Sequence, residues 1–157
     1  MVATASKLKV RNVQFNFDKV QKHWILNSAI ATHFVNSMHV VFPEGEKFFV
    51  RSVRKFAKDI KDENLKKEIT SFCGQEGVHA REHQRFWQVM EEQNLQPNWF
   101  ANFLKTTAFS GKYSYENIST SLLNKIQPRL GDKFGLSVTT ALEHYTAILA
   151  NALFHEP

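Results

Sequence analysis

The stretch that decides the fold is residues 72–83, FCGQEGVHAREH. It belongs to a longer run, from Leu65 to Met90, in which core-type residues recur at alternating steps of four and three, as on the inner side of a helix. Glu76, His79 and His83 stand in phase with this apolar stripe. At about 100° per residue the three side chains fall within an arc of roughly 60°, so we expect them to enter the same interior space.

Polar groups on a core-facing stripe need a physical reason to be there. A carboxylate buried beside imidazoles is costly unless it is paired or bound to a cation, and a divalent metal accepts both residue types as ligands. The sequence therefore predicts a metal site on this helix.

The size and composition of the chain indicate a single globular domain. The 157 residues, 43% hydrophobic with 14 Phe, are enough to bury a substantial core, and we interpret residues 1–157 as one helical metal-binding domain with an extended lead-in over residues 1–20. The net charge is +5, but basic and acidic residues are interleaved, as in KDIKDE at residues 58–63. That pattern is typical of a solvated helix face, so we expect no nucleic-acid partner.

Cysteine content and the N-terminal sequence indicate the cellular compartment in which the protein is expected. The single cysteine, Cys73, excludes an internal disulfide and suits a reducing environment. Residues 1–17 lack the apolar run of a signal peptide, and no stretch approaches the roughly 18 apolar residues of a membrane span. We expect a cytoplasmic protein without a membrane span.

A proline is predicted to divide the first half of the chain into two helices. The first is expected from about Trp24 to Met38, and Pro43 is expected to begin the second, because proline is favoured at the first helical position. Glu44 would then complement the dipole of the new helix. Glu46 is in phase with the apolar stripe that follows, and we interpret it as a metal ligand or a capping residue.

Further helices follow at intervals that favour a bundle. Asp62 is a suitable cap for a helix of about 30 residues that ends near Asn94. A short aromatic helix from Pro97 is expected to cover one end of the core, and residues 115–127 favour another helix. The last helix begins near residue 132 or 135 and carries Glu143 on an otherwise apolar side. The predicted fold class is an all-α, up-and-down helical bundle.

The inward acids match part of a known ligand pattern. Di-iron carboxylate bundles take one Glu from each of two helices and a Glu-x-x-His pair from each of two others. Here Glu46 and Glu143 would be the lone glutamates, and Glu76 with His79 would be one pair. Carboxylate oxygen with imidazole nitrogen suits a divalent metal, most readily Fe, with Mn or Zn as alternatives.

Three segments carry a resemblance to a known family. FPEGEKFF at residues 42–49, QEGVH at 75–79 with His83, and ALEHYT at 141–146 resemble the predicted metal-dependent hydrolases, over roughly residues 24–153. The resemblance implies a ferritin-like bundle and a water-activating hydrolytic enzyme. The metal ligands that it implies are Glu46, Glu76, His79 and Glu143, with His83 as an additional inward histidine, and the catalytic carboxylates would be Glu46, Glu76 and Glu143.

The sequence departs from this family in one respect. Members normally continue into a further helix with a second Glu-x-x-His, whereas this sequence ends at Pro157 and contains no second example. We therefore expect a bundle that is incomplete at its C-terminus. Its missing ligands would come from His83, His144, His155 or a second subunit, and a homodimer or a missing C-terminal helix would cover the open side.

Several functional alternatives remain open at this point. Carboxylate-rich bundle sites also suit an oxygen-activating di-iron oxidase or oxygenase. Residues 79–83 fit the H-x-x-E-H signature of inverted zinc peptidases. In that interpretation His79 and His83 would bind zinc and Glu143 would be a third ligand. Glu82, at the edge of the core, would be the general base. A non-catalytic interaction module would use the same groups only for hydrogen bonds. The many phenylalanines favour a small apolar or aromatic substrate.

Overall fold

The computed structural model describes residues 8–154, and it describes side chains as far as residue 152. All regular structure within this part is helical, which confirms the predicted all-α bundle. The elements are α1 (Ala29–Ala57), α2 (Glu63–Glu92), α3 (Pro97–Leu104), a short π-helical segment (Lys105–Phe109), α4 (Tyr115–Ile126) and α5 (Leu130–Phe154). None of these helices has the length and apolar character needed to cross a membrane.

Helix α1 is the central element, and the two other long helices pack along it. A five-residue connection turns the chain back, so α2 runs antiparallel to α1. Helix α5 is also antiparallel to α1, and hydroxyl groups of Ser52 and Thr139 hydrogen-bond across their contact at 2.7 Å. In the described residues α2 and α5 do not contact each other. A gap between α2 and α5 therefore runs along α1, and we call it the open side of the bundle.

The predicted break at Pro43 is wrong, because α1 runs through this proline without interruption. Proline has no N–H to donate to the carbonyl four residues earlier, which is that of His39. The indole N–H of Trp87 on α2 donates to this carbonyl instead, at 2.8 Å. A contact from a distant helix thus replaces the missing hydrogen bond and lets Pro43 lie buried inside α1.

The expectation for Glu44 fails for the same reason, and the predicted start of the first helix near Trp24 is also wrong. Glu44 lies in the middle of α1, far from any helix N-terminus, and its buried carboxylate pairs with Lys47 at 2.7 Å. The true start of α1 is at residue 29, where the Ser28 hydroxyl accepts a hydrogen bond from the backbone N–H of Ala31. Glu44 therefore has a local partner and no role in complementing a helix dipole.

The prediction for α2 is confirmed, including its cap. The Asp62 carboxylate accepts hydrogen bonds from the backbone N–H groups of Asn64 and Leu65, at 2.8 and 3.3 Å. The C-terminal half of the apolar stripe is deeply buried against α1 and α3. The buried core cluster consists of Val40, Phe86, Val89, Met90 and Ala101.

Helix α3 begins at Pro97 as predicted, but its aromatic side chains do not cover the core. Trp99, Phe100 and Phe103 are exposed and stack on one another, with ring centroids 6.1–6.4 Å apart. Helical phase explains the difference for Trp99 and Phe103, which lie opposite Pro97 and Ala101, the buried residues of α3.

The N-terminal segment, residues 8–17, forms no helix and is hydrogen-bonded along α2; we call it the strap. The guanidinium of Arg81 donates to the backbone carbonyl of Val13 at 2.7 Å, and the Glu82 carboxylate accepts from the backbone N–H of Phe15 at 3.0 Å. These contacts bury the side of α2 from which Glu82 projects.

Candidate metal centre

Glu46 of α1 meets Glu76 and His79 of α2 at the open side of the bundle. Each of the three offers one ligand atom, and these atoms all lie within 4.8 Å of one another. The spacing of three residues puts Glu76 and His79 on one face of α2, and the antiparallel packing of α1 brings Glu46 opposite them. Both glutamates are buried, whereas the His79 side chain is 45% exposed.

The protonation behaviour of the two buried glutamates fits a cation site. Burial, followed by the charges of Glu76 and Glu143, raises the pKa of Glu46 to about 9, although Lys47 opposes the shift. Burial and the charge of Glu143 raise the pKa of Glu76 to about 7. Ionised carboxylates in this arrangement repel each other, and a divalent ion between them would remove the repulsion.

An orphaned oxygen atom gives independent support for a cation. Within the described part of the chain, Glu46 Oε2 is buried without a hydrogen-bond partner. Buried polar atoms without partners are rare, and a bound ion is one of the ordinary explanations for them. Two buried glutamates, one of them with an unsatisfied oxygen, and an imidazole together form a donor set that suits a divalent metal.

Glu143 of α5 lies beside this cluster rather than within it. Its charge raises the pKa of both Glu46 and Glu76, but it is not part of the group whose ligand atoms lie within 4.8 Å. The residue is half-buried, and burial raises its own pKa. The structure thus brings the three predicted glutamates into one neighbourhood and gives Glu143 the most accessible position.

His83 contacts the cluster from a second direction. Its Nε2 lies 3.5 Å from Glu46 Oε1, and its Nδ1 lies 2.8 Å from Nδ1 of His39, so one ring donates and the other accepts. Burial lowers the pKa of His39 to about 4. Burial, with the charges of His39 and His79, lowers that of His83 to about 3, so both rings are neutral at pH 7.

His39 is a site residue that the sequence analysis did not identify. The assumed break at Pro43 placed His39 outside any helix, although it precedes Glu46 by seven residues and so shares its face of α1. Its ring stacks on Phe86 with centroids 4.2 Å apart, and its backbone carbonyl is held by Trp87. His39 is therefore fixed in place on both its main chain and its side chain.

His144, which was also predicted as a source of a metal ligand, is not part of the described cluster. His144, one position beyond Glu143, is exposed to solvent. His155 lies outside the described residues.

The geometry around Glu82 weighs against the H-x-x-E-H interpretation. Glu82 is buried, with Oε1 accepting from Arg81 at 2.9 Å and Oε2 accepting from Arg85 at 2.6 Å and from the backbone N–H of Phe15 at 3.0 Å. Burial alone would raise its pKa, but the hydrogen bonds and the two arginine charges outweigh burial and hold the pKa below its usual value. A carboxylate bound in this way anchors the strap and is a poor proton acceptor.

Comparison with known proteins gives one match. A family model described as "Predicted metal-dependent hydrolase" matches residues 9–157, which include all the described helices and every residue of the cluster. No curated protein and no solved structure matches the chain.

Proposed function

The chain belongs to the family of predicted metal-dependent hydrolases, and from this premise we propose that Glu46, Glu76 and His79 hold a divalent metal ion that serves hydrolysis. The observation that carries the proposal is the buried pair of Glu46 and Glu76. The Oε2 atom of Glu46 has no hydrogen-bond partner among the described residues. Fe is the proposed metal, with Mn or Zn as alternatives, because carboxylates outnumber imidazoles in the donor set.

The surrounding side chains have distinct proposed roles. A bound divalent ion would lower the pKa of a water molecule and polarise the bond to be cleaved. Glu46 and Glu76 hold their positions on two rigid helices, and His83 orients Glu46 from the 3.5 Å contact between Nε2 and Oε1. Glu143 is the proposed proton acceptor, because it is half-buried beside the cluster and burial raises its pKa towards the range useful for a general base.

A second candidate is an oxygen-activating di-iron enzyme of ferritin-like type. The observation that favours it is the ratio of three glutamates to two histidines, since Glu143 and His83 lie beside the cluster of Glu46, Glu76 and His79. Carboxylate-rich sites within helical bundles are the usual setting for di-iron chemistry.

Metal content and reactivity distinguish the two candidates. We expect protein purified without chelator to contain tightly bound metal, and to hydrolyse ester, amide or phosphoester test substrates only in the metal-loaded form. Glu143→Gln should keep the metal and lower the rate by about 100-fold or more, as expected for a general base. Oxygen consumption by the iron-loaded protein without any hydrolysis would instead favour the di-iron oxidase, and protein without metal would favour a non-catalytic module.

The proposed substrate is small and carries an apolar or aromatic group. The Phe42 ring packs edge-on against His83, with centroids 5.2 Å apart, and supplies apolar surface beside the cluster. A cavity of about 140 Å³ lined by Phe48, Phe109 and Val138 is less suitable, because Phe48 and Glu46 lie about 200° apart around α1. A cytoplasmic location belongs to the same proposal and rests on the single Cys73.

We also propose that the open side of the bundle is covered in the functional protein, by a second copy of the chain or by a further helix. Leu142, Tyr145 and Ile148 of α5 are 42–63% exposed, and His79 is accessible where α2 and α5 fail to meet. Apolar surface of this kind commonly marks an interface. Such a partner could also supply further ligands.

Light scattering tests this proposal on the chain of 157 residues. We expect the metal-loaded protein to be a dimer, and Tyr145→Glu with Ile148→Glu to shift it towards monomer. A stable monomer that contains its full complement of metal would contradict the proposal.

A further inference from the structure

We propose that Gln75 is a positioning residue whose side-chain oxygen, Oε1, accepts a hydrogen bond either from the strap or from His79. Docking of the strap at Arg11 and ion binding at His79 therefore compete for this one atom. The inference rests on the proposed metal site. It concerns a contact between the N-terminal strap and α2 that lies directly beside the cluster.

The hydrogen bonds of Gln75 fix the orientation of its amide. Gln75 Oε1 accepts from the backbone N–H of Arg11 at 2.8 Å, and Gln75 Nε2 lies 2.9 Å from Nε2 of His79. Because Oε1 is turned to the strap, the amide NH₂ group faces His79 and donates to it. A neutral imidazole that accepts at Nε2 carries its hydrogen on Nδ1.

This tautomer of His79 is the wrong one for binding an ion beside Glu76. Nδ1 is the ring nitrogen that faces the cluster, 3.8 Å from Glu76 Oε1. To bind an ion, Nδ1 must present a lone pair, so the hydrogen has to move to Nε2. The Nε2–H group then needs an acceptor, as the distal N–H of a metal-binding histidine usually has.

Gln75 can supply that acceptor only by turning its amide over. The turn brings Oε1 to His79 and places the NH₂ group against the N–H of Arg11, which loses its acceptor. The Arg11 contact of the strap and a hydrogen bond from ion-bound His79 to Gln75 Oε1 therefore exclude each other. By reciprocity, docking of the strap at Arg11 weakens ion binding as much as the ion weakens that contact.

The rest of the strap is held by groups that do not take part in this exchange. Phe15 is bound through its N–H by Glu82 and through its carbonyl by Arg85, at 3.0 Å each. Val10 packs so closely on α2 that a Cβ added at Gly74 would lie 3.0 Å from its Cγ2. Ion binding should thus loosen the strap around Arg11 and leave the part around Phe15 docked.

Amide hydrogen exchange followed by NMR, with Zn²⁺ as the probe ion, tests the inference. In the natural sequence, Zn²⁺ should accelerate exchange of the Arg11 amide by about fivefold, the effect of one lost hydrogen bond, and should leave the Phe15 amide unchanged. In Gln75→Glu both carboxylate oxygens accept, so Zn²⁺ should bind more tightly and Arg11 exchange should not respond to it.

Gln75→Met is the matched control, because it has a similar shape without an acceptor. Its Arg11 amide should exchange fast with or without Zn²⁺. If Zn²⁺ binds but exchange of the Arg11 amide in the natural sequence is unchanged or slower, the inference is overturned. The proposed metal site would not be affected by that result. Absence of Zn²⁺ binding would overturn both this inference and the proposed function.

Discussion

Replacing Glu76 by alanine is expected to weaken divalent-metal binding by more than about 100-fold, the upper end of what supporting residues around a metal contribute. Glu76 offers a ligand atom to the cluster and is 5% exposed, so no water-filled space is ready to replace it. Calorimetric titration with Zn²⁺ or Mn²⁺, together with metal analysis of the purified variant, measures the effect.

Glu82→Ala is the matched control for this experiment. Glu82 lies on the same helix with the same exposed fraction, 5%, but it pairs with Arg81, Arg85 and the strap. We expect this variant to lose stability and to keep its metal affinity within a few-fold. Similar losses of affinity in both variants would mean that folding, rather than ligation, explains the result for Glu76→Ala.

The metal-free protein is expected to lose stability as the pH rises from 7 to 9. Glu46 has a pKa of about 9 and Glu76 of about 7 in the folded state, against 4.5 as the reference value. Between pH 7 and pH 9 the buried histidines are neutral in both states, whereas the folded state still binds more protons on these glutamates than the unfolded state does. The free energy of unfolding therefore falls with rising pH. The slope is at most about 1.4 kcal/mol per pH unit for each proton, so Glu46 alone lowers the free energy of unfolding by about 2 kcal/mol between pH 7 and pH 9. A typical total is about 5–15 kcal/mol.

Urea unfolding at a series of pH values, with chelator and with Zn²⁺, measures this dependence. Glu46→Gln should flatten the metal-free profile and exceed the natural sequence in stability at pH 8, because the variant has no charge to bury at that position. Saturating metal should flatten the profile of the natural sequence as well. Metal-free stability that increases between pH 7 and pH 9 would show that the cluster does not carry these protons.

The parts of the fold that local rules control could be predicted from the sequence. The α2 helix, its Asp62 cap and the phase of Glu76 and His79 follow from periodicity and from neighbouring residues, and the structure agrees with them. The continuity of α1 could not be predicted in this way. Pro43 breaks a helix by every local rule, and the indole of Trp87 that satisfies the His39 carbonyl comes from another helix.

The environment of Glu82 shows a second limit of sequence reasoning. Helical phase places this residue at the edge of the core, and it is buried only because the strap covers that side of α2. The hydrophobic pattern of an extended segment is too weak to predict where the segment docks. The partnership of His39 with His83 was missed for the related reason that it depends on the path of α1 through Pro43.

Anomalous diffraction tests the central claim most directly. Crystals of protein purified without chelator and loaded with one metal would be measured on either side of that metal's absorption edge. We predict an anomalous peak about 2.0–2.3 Å from oxygen atoms of Glu46 and Glu76 and from Nδ1 of His79. A metal-loaded crystal whose peak lies elsewhere, for example between His79 and His83 with both glutamates unbound, would contradict the account.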